Sequence, residues 1–141
     1  MPSGCSGASA NSCMSSKRRK RRAPAQAAYY ARLQIARIGE WTATTTPDAF
    51  QADQRTRYAV ERAFIALGEA VKELARGVDL AAIDPSGPWS EPARFRDFLA
   101  HDYDDQVLPT LMWKTITTDL ANLDAALARV QAVVGKYDPD A

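Results

Sequence analysis

The segment RFRDFLAHDYDD (94–105) gathers two arginines, the sole histidine of the chain and a tyrosine within ten positions. A guanidinium keeps its charge at every accessible pH and pairs with a phosphate through two parallel N–H bonds, while an imidazole changes charge near neutrality and can move a proton. Together they suit phosphodiester cleavage. Such a pair can cleave RNA without a metal, because the 2′-hydroxyl is a built-in nucleophile: His101 would take or give a proton, and Arg96 would stabilise the charge on a phosphorane-like transition state. On a helical wheel begun at Arg94, Phe98, Phe95 and Leu99 fall at about 40°, 100° and 140° and predict the buried face. Opposite lie Arg96, Ala100, Asp97 and His101, at about 200°, 240°, 300° and 340°. Tyr103, seven residues after Arg96, projects on the same side two turns further along. A plainer reading of the same residues is also open: His101 is a surface histidine paired with Asp97 or Asp105 four residues away, and the arginines are ordinary solvated charges.

The elements around this segment are helical. Tyr30, Leu33, Ile35, Ile38 and Trp41 predict a broad apolar face on a first helix from Ala25. Thr46 and Pro47 mark the N-cap and first position of a short second helix through Phe50. Val60, Phe64, Leu67, Val71 and Leu74, spaced 4, 3, 4 and 3, form one stripe of a long helix that Gly77 is placed to end as its C′ residue. Asp, Pro and Gly in VDLAAIDPSGPW make a connection, after which Ser90 caps the next helix and Pro92 sits harmlessly in its first turn. One last helix is predicted over Thr110–Val134, with Ile116, Leu120, Leu123, Leu127, Val130 and Val134 in register and Gly135 and Pro139 closing it. Each such side chain contributes about 1.5–3 kcal/mol when fully buried, so the two stripes can drive a bundle. No repeat and no alternating strand pattern competes. The expected class is all-α, an antiparallel bundle of four to five helices over 25–137.

Charge divides the chain in two. Of 18 Lys and Arg, six form KRRKRR (17–22), and residues 1–22 hold no acid; from Ala23 onward 12 basic residues face 17 acidic ones, a balance of −5. Residues 1–24 are polar and Ser/Gly-rich, and are expected to be a disordered tail because they cannot offset roughly 1–2 kcal/mol per residue of ordering entropy. Within it the basic run reads either as a phosphate-seeking patch or as a solvated tail, with Met14 an alternative start. Cys5 and Cys13 both lie in this leader, which leaves the core without a thiol and fits a reducing cytoplasm. No apolar run suits a membrane span or a secretory signal, so no membrane partner is expected.

Three stretches carry a family resemblance: RYAVERAFIALGEAVKEL (57–74), PWSEPARFRDFLAHDYDD (88–105) and MWKTITTDLANLDAAL (112–127). Together they resemble the HepT-like branch of the HEPN superfamily, over about Leu33 to Val134. The family pattern is Arg, four residues, His, any residue, Tyr, and Arg96, His101 and Tyr103 match it. Asp97 stands where a polar residue, commonly Asn, follows the family arginine, a departure that sets an acid beside the phosphate-binding group. Arg94 satisfies only the looser superfamily spacing, and Arg96 is preferred. The resemblance implies a helical homodimer whose motif helices meet in a composite, metal-independent ribonuclease site with no cofactor. It further implies the toxin of a type VII toxin–antitoxin pair, whose partner, a minimal nucleotidyltransferase of the MNT type, transfers AMP from ATP onto the tyrosine, here Tyr103. A non-catalytic nucleotide- or RNA-binding module that regulates such a partner is the alternative, motivated by Asp97 and the acidic body; a purely structural dimerisation domain is a third. Tyr103 can also be read as an aromatic packed at the helix edge.

Other residues have simpler readings. Asp102, Asp104 and Asp105 form a solvated helix end rather than a cation site. Trp113 is expected in the core or at a dimer contact, and Glu69, which matches a recurrent family acid, is expected to pair with an arginine across the bundle.

Overall fold

The central stripe predicted from spacing is buried in full: Val60, Phe64, Leu67, Val71 and Leu74 are each at most 3% exposed. They belong to α3 (Gln54–Gly77), capped by Asp53, whose carboxylate accepts from the Thr56 backbone N–H and hydroxyl at 3.1 and 2.6 Å. The computed structural model describes residues 21–101 and 107–141, with the side chains of 100, 101, 107 and 108 outside that description. Around α3 stand α1 (Pro24–Thr42), α2 (Pro47–Ala52), the single turn α4 (Leu80–Ile83), α5 (Glu91–His101), α6 (Val107–Thr118) and α7 (Leu120–Val134). Among the described residues there is no strand, and the class is all-α as expected. No helix there is long and apolar enough to cross a membrane. Most of the predicted tail, including both cysteines, lies outside the described residues.

Helix α1 lies on α3 and α7 through a seam that takes in Ile38 of its predicted apolar face, with Ile35 beside it, but otherwise runs along small residues. The buried residues are Ala27, Ala28, Ala31, Ile38 and Thr42; Tyr30, Leu33 and Ile35 are only partly covered and Trp41 is 40% exposed. Small alanines let the two backbones approach, and the larger residues flank the seam. Arg32 then ties α1 to α7, donating to both carboxylate oxygens of Asp124 at 2.9 and 3.2 Å and to Gln131 Oε1 at 2.8 Å. Its guanidinium pKa is raised, chiefly by the hydrogen bonds to Asp124. Thr46 caps α2 as expected, accepting from Ala49 N at 3.1 Å, and Phe50 is fully buried with its ring 5.5 Å from that of Trp113. Trp113 is therefore a core contact.

Two helix ends differ from expectation. Gly77 is the last residue of α3 rather than a left-handed C′ residue, and the chain leaves through extended Val78. Its lack of a side chain serves packing: a Cβ there meets Pro24 Cγ at 2.7 Å. The single helix predicted over 110–134 is two, α6 and α7, parted at Asp119. Three threonines stand just before the break. Thr115, Thr117 and Thr118 hydroxyls donate back to the carbonyls of Leu111, Trp113 and Lys114, at 3.0, 3.0 and 2.6 Å, a bonding mode that bends helices. The apolar stripe keeps its phase across the break, with Leu120, Leu123, Leu127 and Val130 buried. Gly135, at φ +95°, ends α7 as predicted.

Candidate active site on the arginine–histidine helix

Helix α5 is positioned from both ends of its approach. Before it, the DPSGPW turn is fixed by Asp84, whose carboxylate accepts from the Ser86 backbone N–H at 3.2 Å and hydroxyl at 2.8 Å. Its other oxygen accepts from Arg129 Nε of α7 at 2.7 Å, and its backbone carbonyl from Trp89 Nε1 at 2.8 Å. The Ser86 hydroxyl and then Arg129 hold this buried carboxyl below its usual range, against the opposing effect of burial. The Ser90 carbonyl accepts from Arg94 N at 3.2 Å in the first turn. Leu99 and Pro92 are buried, and Phe95 stacks edge-on against Phe64 of α3 with centroids 4.8 Å apart. Phe98 lies partly buried beside them, so the apolar face is the predicted one.

Arg96 is not on the side opposite that face. Its stem lies over Gly68 of α3, where a Cβ meets Arg96 Cβ at 2.9 Å, the Pro92 carbonyl oxygen at 3.0 Å and Arg96 Cδ at 3.2 Å. On the helical wheel Arg96, at about 200°, adjoins Pro92 at about 160° and Leu99 at about 140°, so it flanks the buried sector. The side chain is only 18% exposed. Its guanidinium bridges two carboxylates: Nη1 pairs with Glu69 Oε1, and Nη2 donates to Asp97 Oδ1 at 3.1 Å. The cross-bundle partner expected for Glu69 is thus Arg96. Hydrogen bonding to Asp97, then the Glu69 charge, raises the arginine pKa further above an already high value, while burial opposes. Glu69 and Asp97 are 51% and 63% exposed, so these pairs contribute about 0–1 kcal/mol each and act mainly to orient the fork.

The remaining predicted residues are placed unequally. Arg94 is 72% exposed and, among the described residues, pairs with Glu91 at 3.4 Å and donates to Ser90 Oγ at 3.5 Å. His101 ends α5, its backbone about 7.5 Å along the axis from Arg96 and about 140° around it. Its side chain, Tyr103, Asp102, Asp104 and Asp105 lie outside the described residues. Among those described, no group of His, Cys, Asp and Glu is arranged to hold a metal ion. A pocket of about 160 Å³ opens beside α5, lined by Phe64, Leu67, Pro92, Phe95, Leu120 and Leu123 with Glu91 and Asp119 also in its lining. Arg96 does not line it, and the volume is below the roughly 300–1,000 Å³ of ordinary ligand sites.

Spacing alone did not reveal Gly68, the residue that lets α5 lie close enough for the Arg96–Glu69 pair. Its only sequence signal is a glycine inside a strong helical pattern, which costs about 1 kcal/mol against alanine and so asks for a packing reason.

A family model described as "Ribonuclease HepT-like" matches residues 31–130. "Probable ribonuclease HepT" of Thermococcus cleftensis is 34% identical over 94 residues, covering 67% of this chain and 83% of its own length. "Putative RNase MJ0127" of Methanocaldococcus jannaschii is 41% identical over 66 residues, 47% of this chain and 53% of that protein. No solved structure matches the chain.

Proposed function

The chain belongs to the HepT-like ribonuclease family, and from that premise we propose that it is a metal-independent RNA endonuclease with Arg96 and His101 as its catalytic residues. In the proposed step the 2′-oxygen bonds to phosphorus as the bond to the 5′-oxygen breaks. His101 takes the 2′-hydroxyl proton, the departing 5′-oxygen gains a proton from solvent, and the guanidinium of Arg96 stabilises the phosphoryl oxygens as their charge grows. Asp97 and Glu69 orient Arg96 in the resting site, and a phosphate displaces at least one of them on binding; Arg94 adds a solvent-side charge. The observation that carries the reading is Arg96 itself. A cation whose stem is packed over a glycine is held in one geometry, so once an incoming phosphate has displaced a carboxylate it loses little further entropy in meeting that anion.

The finer assignments follow the same premise. Two copies pair their α5 helices into a composite site, and the protein is the toxin of a type VII toxin–antitoxin pair neutralised by an MNT-type nucleotidyltransferase. AMP on Tyr103 adds a phosphodiester charge and an adenosine that compete with RNA for Arg96. In the cell the reading places this in the cytoplasm.

The test is cleavage of a labelled single-stranded RNA by purified protein. His101→Ala and Arg96→Ala are each expected to lose about 10²-fold or more in rate with the thermal transition of His101→Ala unchanged; wild-type activity in His101→Ala removes the assignment. Intact mass after incubation with the nucleotidyltransferase and ATP is expected to rise in AMP-sized steps, and a Tyr103→Phe variant that gains the same mass refutes the modification site.

One observation favours the second reading, a non-catalytic RNA- or nucleotide-binding module. Both terminal nitrogens of Arg96 are already engaged by carboxylates, which lowers its affinity for phosphate. RNA binding without cleavage, unchanged in His101→Ala, supports that reading.

A further inference from the structure

The outer edge of α3 gathers positive charge that the rest of the body lacks. Counted at 100° per residue from Arg55 at 0°, Lys72 falls at about 260°, Tyr58 and Arg76 at 300°, Glu69 at 320° and Arg62 at 340°. All six are exposed, in a sector opposite the buried stripe at about 100–180°. From Arg55 to Arg76 the edge runs about 31 Å along the helix axis.

The acids of this edge are taken up by arginines from other segments. Glu69 pairs with Arg96 of α5, and the buried Glu73, near 0°, accepts from the Arg22 backbone N–H and Nη1 at 3.2 and 3.0 Å. The Arg22 guanidinium lies 4.7 Å from the centroid of the Tyr30 ring, so it too is held in place. Each acid thus brings a further cation to the edge instead of neutralising one of the helix's own. Glu61, at about 240°, stands at the margin toward α5. Among the described residues no carboxylate pairs with Arg55, Arg62, Lys72 or Arg76. Lys72 and Arg76 are four residues apart, a placement of like charges that destabilises a helix. An ordinary solvated face mixes signs so that neighbours pair. This one keeps its cations apart from acids on a chain that sums to −5 from Ala23 onward.

An exposed aromatic stands in the same row. Tyr58 is 59% exposed, and a ring among cations is the usual make-up of a surface for single-stranded nucleic acid, with bases stacking while the charges follow the backbone. Arg96 meets the edge at Glu69, about 21 Å from Arg55 and about 10 Å from Arg76 along the axis, so cations lie on both sides of it.

We propose that this edge of α3 is the track that holds single-stranded RNA across the Arg96 site, with Arg55, Arg62, Lys72 and Arg76 on phosphates and Tyr58 stacking on a base. The proposal rests on the ribonuclease reading for the nature of the strand. It gives these residues a role in binding, not in the chemical step.

The experiment uses the full chain and a fluorescein-labelled, single-stranded 2′-O-methyl RNA, which lacks the attacking hydroxyl and stays intact. Each phosphate contact to a single strand contributes about 0.7 to the slope of log K against log salt, so replacing Arg55, Arg62, Lys72 and Arg76 together by Gln is expected to reduce that slope by about 2.8, read by anisotropy from about 50 to 300 mM KCl. Replacing the exposed cations Arg37, Lys114 and Lys136, which lie off the edge, is expected to leave it unchanged. Tyr58→Ala is expected to weaken binding about 5-fold or more at the wild-type slope. An unchanged slope in the four-Gln variant, or an equal loss per residue in the off-edge variant, overturns the track; wild-type affinity in Tyr58→Ala removes the stacking role. A four-Gln variant that keeps its slope but changes its self-association in sedimentation gives the edge to a second copy and overturns the RNA assignment. The two readings fail separately. A protein that cleaves unmodified RNA while the four-Gln variant keeps its slope loses the track and keeps the nuclease. One that shows the expected slopes but never cleaves loses the nuclease and keeps the track.

Discussion

Helix α3 has two glycines, Gly68 and Gly77, nine residues apart and therefore on opposite sides of the helix. Each seats a neighbour. Over Gly77 lies the edge of the Pro24 ring, at the end of α3, where α1 is also held by its alanine seam and by the Arg32 clamp to α7. Over Gly68 lie the Pro92 carbonyl and the Cβ and Cδ of Arg96, mid-helix, with backbone among the atoms that must give way. The first seat is one support among several. The second fixes how near α5 comes to α3, and with it whether Arg96 reaches Glu69. Scaffold and site thus depend on the same kind of residue to very different degrees.

The largest test of that contrast is Gly68→Ala. Crowding of a close-packed contact costs about 1–3 kcal/mol, and α5 is expected to shift with it. RNA cleavage should therefore fall further than the loss of folded protein accounts for, measured at a temperature where both proteins are folded; cleavage equal to wild type at that temperature breaks the link between Gly68 and the site. A second test addresses the other support of α5, the Asp84 turn. Because this carboxyl is held below its unfolded value of about 3.9, its contribution is complete above that pH and is lost as pH falls through the lower, folded value. The thermal transition of wild type is expected to drop as pH is lowered below about 4, and that of Asp84→Asn to start lower and drop less. Parallel curves remove Asp84 from the account. The smallest effect is expected at Gly77→Ala: the edge of a proline ring at a helix end can yield, alanine favours the helix by up to about 1 kcal/mol, and the net change should be under about 1 kcal/mol with cleavage unaltered. A loss at Gly77 matching that at Gly68 erases the distinction.

Much of this fold was legible because large apolar residues recur with the helical period. The stripes of α3 and of the α6–α7 pair followed from spacing, and all of α3's stripe is buried. The face of α1 was misread because its seam is alanine, which adds little to any hydrophobic pattern, while Trp41 and Tyr30 weigh heavily and sit at the margin. The break at Asp119 was hidden for a different reason: Asp119 N still donates to the Thr115 carbonyl and Leu123 N to the Asp119 carbonyl, so the stripe stays in phase and periodicity carries no trace of it. At the site, the Arg96–Glu69 pair was foreseeable as an arginine across the bundle, yet the side on which Arg96 lies was not, since it falls at the border of the wheel's apolar sector. The Arg22–Glu73 contact spans 51 residues, and no local pattern encodes it.

The aromatic corner beneath Arg22 has a topological consequence. Tyr137 returns past Gly135 to set its ring 5.4 Å from that of Tyr29 and 5.9 Å from that of Tyr30, and its hydroxyl accepts from Gln26 Nε2 at 3.4 Å. Because Tyr30 also carries Arg22, the first and last turns of the helical body meet at one spot, and the path of the backbone is nearly a closed circuit. Loosening either the start of α1 or the segment after α7 therefore uncovers the aromatic cluster that the two share.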